Sequence, residues 1–407
     1  MNSMKIKPAH FFLAIALLLS FTAATQPTHE FRGVWIASVD NIDWPLRGMK
    51  NSDDQKKEFI HQLEMHKQNG MNAVVVQIRP AADAFYPSKL EPWSEWLTGV
   101  QGQPPFPYYD PLQFMIEETH KRNMEFHAWL NPYRAEFKIG VSSIAATHLT
   151  KTHPKWFLTY GDKKYFDPAN IEVQNFVLEV VRDIVHRYEV DAIHMDDYFY
   201  PYRIAGKEFP DEISYKNSGT KLLKDDWRRS NVDSIIKKLN AVIKNEKPWV
   251  QFGISPFSVW RNKDKDARGS DSKAGQTNYD DLFADILLWL QEKWIDYVAP
   301  QLYLEIGHDK IDYAKLLAWW DKNSFGRHLY IGQATYRAGS NTAWKNPVEL
   351  PNQIKLNRQY ENVKGSIYFS SKSFNNNPNG WNDSLKNNYY RLPALVPPMK
   401  WLPQKPQ

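Results

Sequence analysis

A single (β/α)8 TIM barrel, of the α/β class, is the fold this sequence predicts. Three observations carry the prediction. Eight strand-like apolar runs are each followed by a segment of helical period, which is the alternation such a barrel requires. No Gly-rich phosphate fingerprint follows the first run, as a doubly wound open sheet would favour. At 407 residues, with 42% hydrophobic and 24% charged, the chain can bury one large core.

The strands are expected at Phe31–Val39, Asn72–Arg79, Met124–Asn131, Asp191–Tyr198, Trp249–Phe257, Tyr297–Tyr303, His328–Thr335 and Gly365–Ser371. The helices between and after them are expected at Asp53–Asn69, Pro111–Asn123, Ile171–Tyr188, Leu222–Asn245, Tyr279–Glu292, Ile311–Asn323, Val348–Tyr360 and Trp381–Arg391. Asn51-Ser52-Asp53 offers caps to the first helix, and Asn69-Gly70 ends it. Asp167-Pro168 suits the opening of the third. A long insertion, Pro80–Tyr109, rich in Pro, Trp and Tyr, separates the second strand from its helix. Loops of that length within one domain usually serve function.

The ends of the chain read differently. Lys5 and Lys7 precede the apolar run Phe11–Phe21, which is followed by small residues up to Thr25. Those 11 residues would span about 16 Å as a helix, too short for a bilayer core of about 30 Å. Residues 1–25 are therefore expected to be a secretory signal peptide, and the barrel to occupy 31–391. Residues 392–407, with five prolines from Pro393 onward, read as an extended tail. The expected location is outside the cytoplasm, by the Sec route, in the periplasm or beyond the cell. With no Cys there is no lipoprotein anchor, disulfide or thiolate nucleophile, and no stable membrane insertion is expected after cleavage. Removing Lys5 and Lys7 from the net charge of +5 leaves about +3, dispersed and too small to indicate nucleic acid. Nothing in the sequence fixes an oligomeric state.

Strand alternation identifies what faces the barrel mouth. In the fourth strand Ile193 and Met195 suit packing on helices, so Ala192, His194 and Asp196 point inward. In the second, Gln77 and Arg79 point inward, with Val74, Val76 and Ile78 outward. The sixth contributes Gln301 and Tyr303, and the third ends in Asn131-Pro132-Tyr133-Arg134. A barrel that only needed filling would use Val, Ile and Leu at these positions. With 16 Trp, 21 Tyr and 21 Phe, rings are abundant enough to line a cleft as well as a core.

Asp196-Asp197-Tyr198 is the central feature. Carboxylates beside aromatic rings at a strand end suit hydrolysis of a sugar bond, in which two carboxyl groups flank the scissile linkage. Asp196 is one candidate; its partner could be Asp197, Glu305, Asp40 or Asp43. Trp44, Tyr133, His194 and Tyr198 are further candidates for substrate contact. Arg79 could bind substrate or form an ion pair with Asp196 or Asp83. His127 and His194 read more readily as buried, hydrogen-bonded imidazoles than as ligands or bases. A metal-dependent hydrolase would want His at the first strand, which reads Val34-Trp-Ile-Ala-Ser-Val39, and no Gly-x-Ser-x-Gly elbow is present. No metal and no cofactor is expected.

These motifs resemble the glycosyl-hydrolase-like-10 family of bacterial envelope proteins. The resemblance rests on Phe31-Arg-Gly-Val-Trp-Ile-Ala-Ser-Val-Asp40 with Asp43-Trp44-Pro45, and on Gln77-Ile-Arg-Pro80. Ala128-Trp-Leu-Asn-Pro-Tyr-Arg134, Asp196-Asp-Tyr-Phe-Tyr-Pro201, Gly253-Ile-Ser-Pro256 and Ala299-Pro-Gln-Leu-Tyr303 continue it in order. It implies an exported TIM-barrel glycoside hydrolase with peptidoglycan glycan strands as the leading polysaccharide substrate. Asp40, Arg79, Asn131, Asp196, Asp197, Gln301 and Tyr303 fall on motif positions, whereas Glu305 does not. The alternative is a glycan-binding protein without catalysis on the same scaffold, in which no second carboxylate would accompany Asp196.

Overall fold

The computed structural model describes residues 26–406. The expected signal peptide lies outside the described residues. Eight parallel strands close the barrel: β1 Phe31–Ile36, β2 Ala73–Arg79, β3 Glu125–Leu130, β7 Ala192–Met195, β8 Gln251–Ile254, β9 Tyr297–Val298, β10 His328–Gln333 and β11 Val363–Tyr368. They run β1-β11-β10-β9-β8-β7-β3-β2 around the barrel. Between β3 and β7 the chain adds a small antiparallel sheet that the sequence reading did not contain, built from β4 Arg134–Glu136, β5 Phe157–Tyr160 and β6 Lys163–Phe166.

Alternation along β2 shows why these segments are strands. Val74, Val76 and Ile78 pack outward in the core shared with the helices, while Ala73 and Val75 join the barrel interior. The interior is filled largely by rings, including Phe31, Trp35, Trp129, Tyr297 and Tyr330. Space for them comes from small neighbours. A Cβ on Gly253 would lie 1.9 Å from the Tyr297 ring, so only glycine lets that ring cross the barrel centre.

Eight helices follow the eight strands: α1 Ser52–Gln68, α2 Pro111–His120, α3 Ile171–Arg187, α4 Lys224–Glu246, α5 Ile286–Gln291, α6 Tyr313–Lys322, α7 Glu349–Asn357 and α8 Trp381–Ser384. Asn51 caps α1, its Oδ1 accepting from Asp53 N at 2.8 Å, and Gly70 follows its end at φ 80°. The cap of α3 is Asn170; the expected Asp167-Pro168 opening is instead a turn just before it. The continuous helix expected at Tyr279–Glu292 is broken. Phe283 takes φ 52°, and Asp285 then starts α5 by accepting from Leu288 N. The last helix is shorter than expected, passing into a π-turn at Leu385–Tyr389.

The proline-rich segment is extended but docked. Leu395 pairs with the chain ahead of β1, its N–H donating to Thr28 O at 2.9 Å. Met399 joins the barrel interior from the end where the strands begin, with Val396 and Leu402 packed beside it. Trp401 donates to Asp296 Oδ1 at 2.9 Å and lies against His328. Apolar burial thus fixes a segment whose composition alone reads as loose.

Candidate active site

The ends of the barrel strands converge on a cleft of about 240 Å³. Trp35, Ala37, Val39 and Ile42 come from β1 and the turn after it, and Trp129 from β3. Asp196, Asp197 and Tyr198 follow β7, and Gln301 and Tyr303 follow β9. A larger hollow, about 920 Å³, lies beside Pro397, Pro398 and Trp401 near the starts of β10 and β11. Volume does not decide between them: in this fold the reacting groups gather where strands end.

β7 stops at Met195, so Asp196 and Asp197 occupy the turn beyond it rather than the strand. Both are almost wholly buried, with exposures of 4% and 2%. Asp196 is tightly held. Its Oδ2 accepts from Trp129 Nε1 at 3.2 Å and from Asn131 Nδ2 at 3.1 Å. Burial pushes its carboxyl up to about 6, against the opposing pull of the Arg134 guanidinium and these donors. Asp197 accepts from the Tyr202 hydroxyl. Burial, aided by the negative charge of Asp196, pushes it up to about 7 despite hydrogen bonds from Tyr202 and Gln301. Burial thus raises both carboxyls above the ordinary carboxylate range, Asp197 further than Asp196. An acid and a base standing side by side can protonate a leaving oxygen and stabilise positive charge at a sugar carbon.

Beneath the cleft runs a row of hydrogen bonds. Trp35 Nε1 donates to His194 Nε2 at 3.4 Å, and Ser255 Oγ lies 2.9 Å from the same nitrogen. His194 Nδ1 and His127 Nδ1 each lie 2.9 Å from the Tyr297 hydroxyl, and His127 Nε2 lies 3.0 Å from Glu125. Burial drives His194 well below its ordinary value, so it is a neutral, fully engaged imidazole. It supports the cleft floor and does not line it.

Of the residues singled out in the sequence, Asp196, Asp197, Tyr198, Gln301 and Tyr303 meet in the cleft. Asn131 sits behind Asp196 as its hydrogen-bond donor. The others fall elsewhere. Glu305 does not reach the cleft, because its carboxylate accepts from the buried Trp344 indole at 3.0 Å. Asp40 is exposed and paired with Arg47. Asp43 is buried as a clasp, accepting from Ala37 N, Ser370 Oγ and Lys372 N. Trp44 is core, packed on Phe59 and donating to Gln55 O at 2.9 Å. Tyr133 is likewise fully buried in the outer core. Arg79 pairs with neither Asp196 nor Asp83; its Nε donates to Glu91 at 2.7 Å and its Nη1 caps Asn131 O. That buried pair pins the Pro80–Tyr109 insertion against the barrel and keeps Arg79 from the cleft.

The cleft also contains residues the sequence reading did not select. Trp129 is a direct donor to Asp196, and Tyr336 and Phe369 form part of the wall; Arg134, which the sequence did place at the mouth, stacks 4.8 Å from the Tyr198 ring. Alternation along β3 could have found Trp129; Tyr336 and Phe369 lie in loops, where alternation gives no direction. Gln77 was read as inward-facing. Its Oε1 accepts from Ser38 N and Val39 N, which leaves its buried Nε2 without a partner at the cleft.

A profile of the Glycosyl hydrolase-like 10 family matches residues 30–348. The chain is 51% identical over 398 residues to Glycosyl hydrolase YngK of Bacillus subtilis, covering 95% of this chain and 78% of that one. It is 35% identical over 375 residues to Glycosyl hydrolase DigH of Escherichia coli K12, covering 86% and 85%. In fold it is similar to the PgaB (BpsB) glycoside hydrolase domain of Bordetella bronchiseptica, with TM-score 0.56, 11% identity, and 88% and 99% of the two chains covered. The β-amylase catalytic domain of Paenibacillus polymyxa gives TM-score 0.58 at 11% identity, covering 90% and 99%. The chain belongs to the Glycosyl hydrolase-like 10 family and is a TIM-barrel glycoside hydrolase.

Proposed function

We propose that this glycoside hydrolase is exported and cleaves peptidoglycan glycan strands, with Asp196 and Asp197 supplying the acid and base. The observation that carries the reading is the buried Asp196-Asp197 pair on one side of a cleft otherwise walled by Trp35, Trp129, Tyr303, Tyr336 and Phe369. Rings of this kind stack on the apolar faces of pyranose sugars, while burial keeps one carboxyl group protonated near neutral pH. Lys5 and Lys7 ahead of the apolar run Phe11–Phe21 support export, and the cell envelope is where glycan strands are the abundant polysaccharide.

The test is mass spectrometry of products from purified peptidoglycan, intact and stripped of peptides, beside plant and host polysaccharides. Wild type is expected to release saccharide fragments from at least one peptidoglycan form, and Asp196→Asn to release none while folding normally. Fragments from another polysaccharide alone would overturn the substrate. Normal turnover by Asp196→Asn would overturn the assignment of that residue.

A further inference from the structure

Two enzyme carboxyl groups ordinarily act from opposite sides of the scissile bond. Here the carboxylates that line the cleft are consecutive residues in one turn, and no other acid among the described residues lines it. Counting around the closed barrel, β7 stands across from β11. The wall facing the pair is therefore Phe369 beyond β11, flanked by Trp35 and Ala37 from β1 and Tyr336 beyond β10. It carries no carboxylate to attack a sugar carbon. A phenol there would need a base to take its proton, and the bases stand on the other wall. Asp43, Glu305 and Asp40 are engaged by Ser370, Trp344 and Arg47 respectively.

We infer that the substrate supplies the nucleophile itself: the carbonyl oxygen of a 2-acetamido group on the sugar being cleaved. The inference rests on the glycan-strand reading above and assigns the two aspartates different tasks. The acetamido oxygen bonds to the anomeric carbon as the glycosidic C–O bond breaks, and the Asp197 proton passes to the departing oxygen. Positive charge moves onto the amide nitrogen of the resulting bicyclic oxazolinium, and the Asp196 carboxylate receives its N–H as a hydrogen bond. Water then gives a proton to Asp197 and bonds to the anomeric carbon. The ring C–O bond breaks, and its electron pair restores the amide. One water is consumed, and the anomeric configuration is retained.

The surroundings fit these tasks. Asp196 is held by Trp129 and Asn131 with Arg134 as its counter-charge, an arrangement that fixes an anion in place. Asp197 meets a phenol and a carboxamide, with no cation. Trp35, Ala37 and Phe369 offer an apolar wall to the acetamido methyl.

The test compares oligosaccharides of one linkage that carry either 2-acetamido or 2-hydroxyl groups. The full-length enzyme is expected to turn over the 2-hydroxyl form at least about a hundredfold more slowly, since an intramolecular nucleophile is lost. The thiazoline analogue of the oxazoline should inhibit competitively, and NMR should show retention. Equal turnover of the two sugars, inversion, or a covalent glycosyl adduct on Asp196 trapped by a 2-fluoro sugar would each overturn the inference while leaving the hydrolase reading intact. Release of product from neither sugar would instead overturn the glycan-strand reading, and this inference with it.

Discussion

Where its strands finish, the barrel leaves a cleft of about 240 Å³ floored by polar groups and rings. Where they begin, its own C-terminal segment covers the interior, with Met399 inserted among the central side chains. The mouth accepts buried carboxylates at an energetic cost that function explains. The other end uses apolar contact from Val396, Met399 and Leu402. One end is built for chemistry, and the other for holding that chemistry in shape.

The sharpest break of this contrast is Asp197→Asn. Turnover should fall by about 10²–10⁴, the usual worth of a general acid, when measured as initial rate on purified glycan. With the roles proposed above, wild-type turnover needs Asp196 ionised and Asp197 protonated. The rate should therefore fall below about 6 as Asp196 gains a proton and above about 7 as Asp197 loses one, giving a narrow bell in a pH–rate profile.

The same substitution should stabilise the fold. The folded-state carboxyl of Asp197 lies above its unfolded value, so its stability contribution is present at low pH and lost as pH rises through about 7. Asn removes that loss. Urea unfolding at pH 8 should then show a gain of roughly 1–3 kcal/mol over wild type, with little difference at pH 4.

Met399→Ala probes the other end. It should cost about 2 kcal/mol of stability through lost burial while leaving kcat unchanged, as read by thermal melting and initial rates. A smaller effect is expected of Trp129→Phe, which keeps a ring but removes one donor from Asp196. Turnover should drop about tenfold, the worth of one net hydrogen bond, and the acidic limb of the pH profile should move up. Glu305→Gln should change turnover least, within about twofold, because its partner Trp344 lies outside the cleft. A large loss there would undo the placement of the acid pair.

Much of this contrast was legible from alternation. The eight strands, the inward Ala192 and His194, and the outward Val74, Val76 and Ile78 all follow from period two. Alternation ends with the strand, however, and so does its guidance. Tyr133 follows β3 and turns into the outer core, and Glu305 follows β9 and turns to Trp344. Arg79 was read as inward, but the structure binds it to Glu91, which sits in a long insertion whose path no local pattern encodes. The tail misled for the opposite reason. Proline content implies extension, which is correct, but does not reveal the apolar face that Val396, Met399 and Leu402 turn to the barrel.

The row of hydrogen bonds under the cleft has a direction. The Trp35 indole can only donate, so His194 Nε2 accepts, and the proton of this neutral ring lies on Nδ1, facing the Tyr297 hydroxyl. That hydroxyl then spends its single proton on His127 Nδ1, leaving His127 Nε2–H for the Glu125 carboxylate. The row thus links Trp35, which lines the cleft, to Glu125 at the start of β3. Both imidazoles are therefore committed to holding the central rings of the barrel, and neither is free to move a proton in the cleft above.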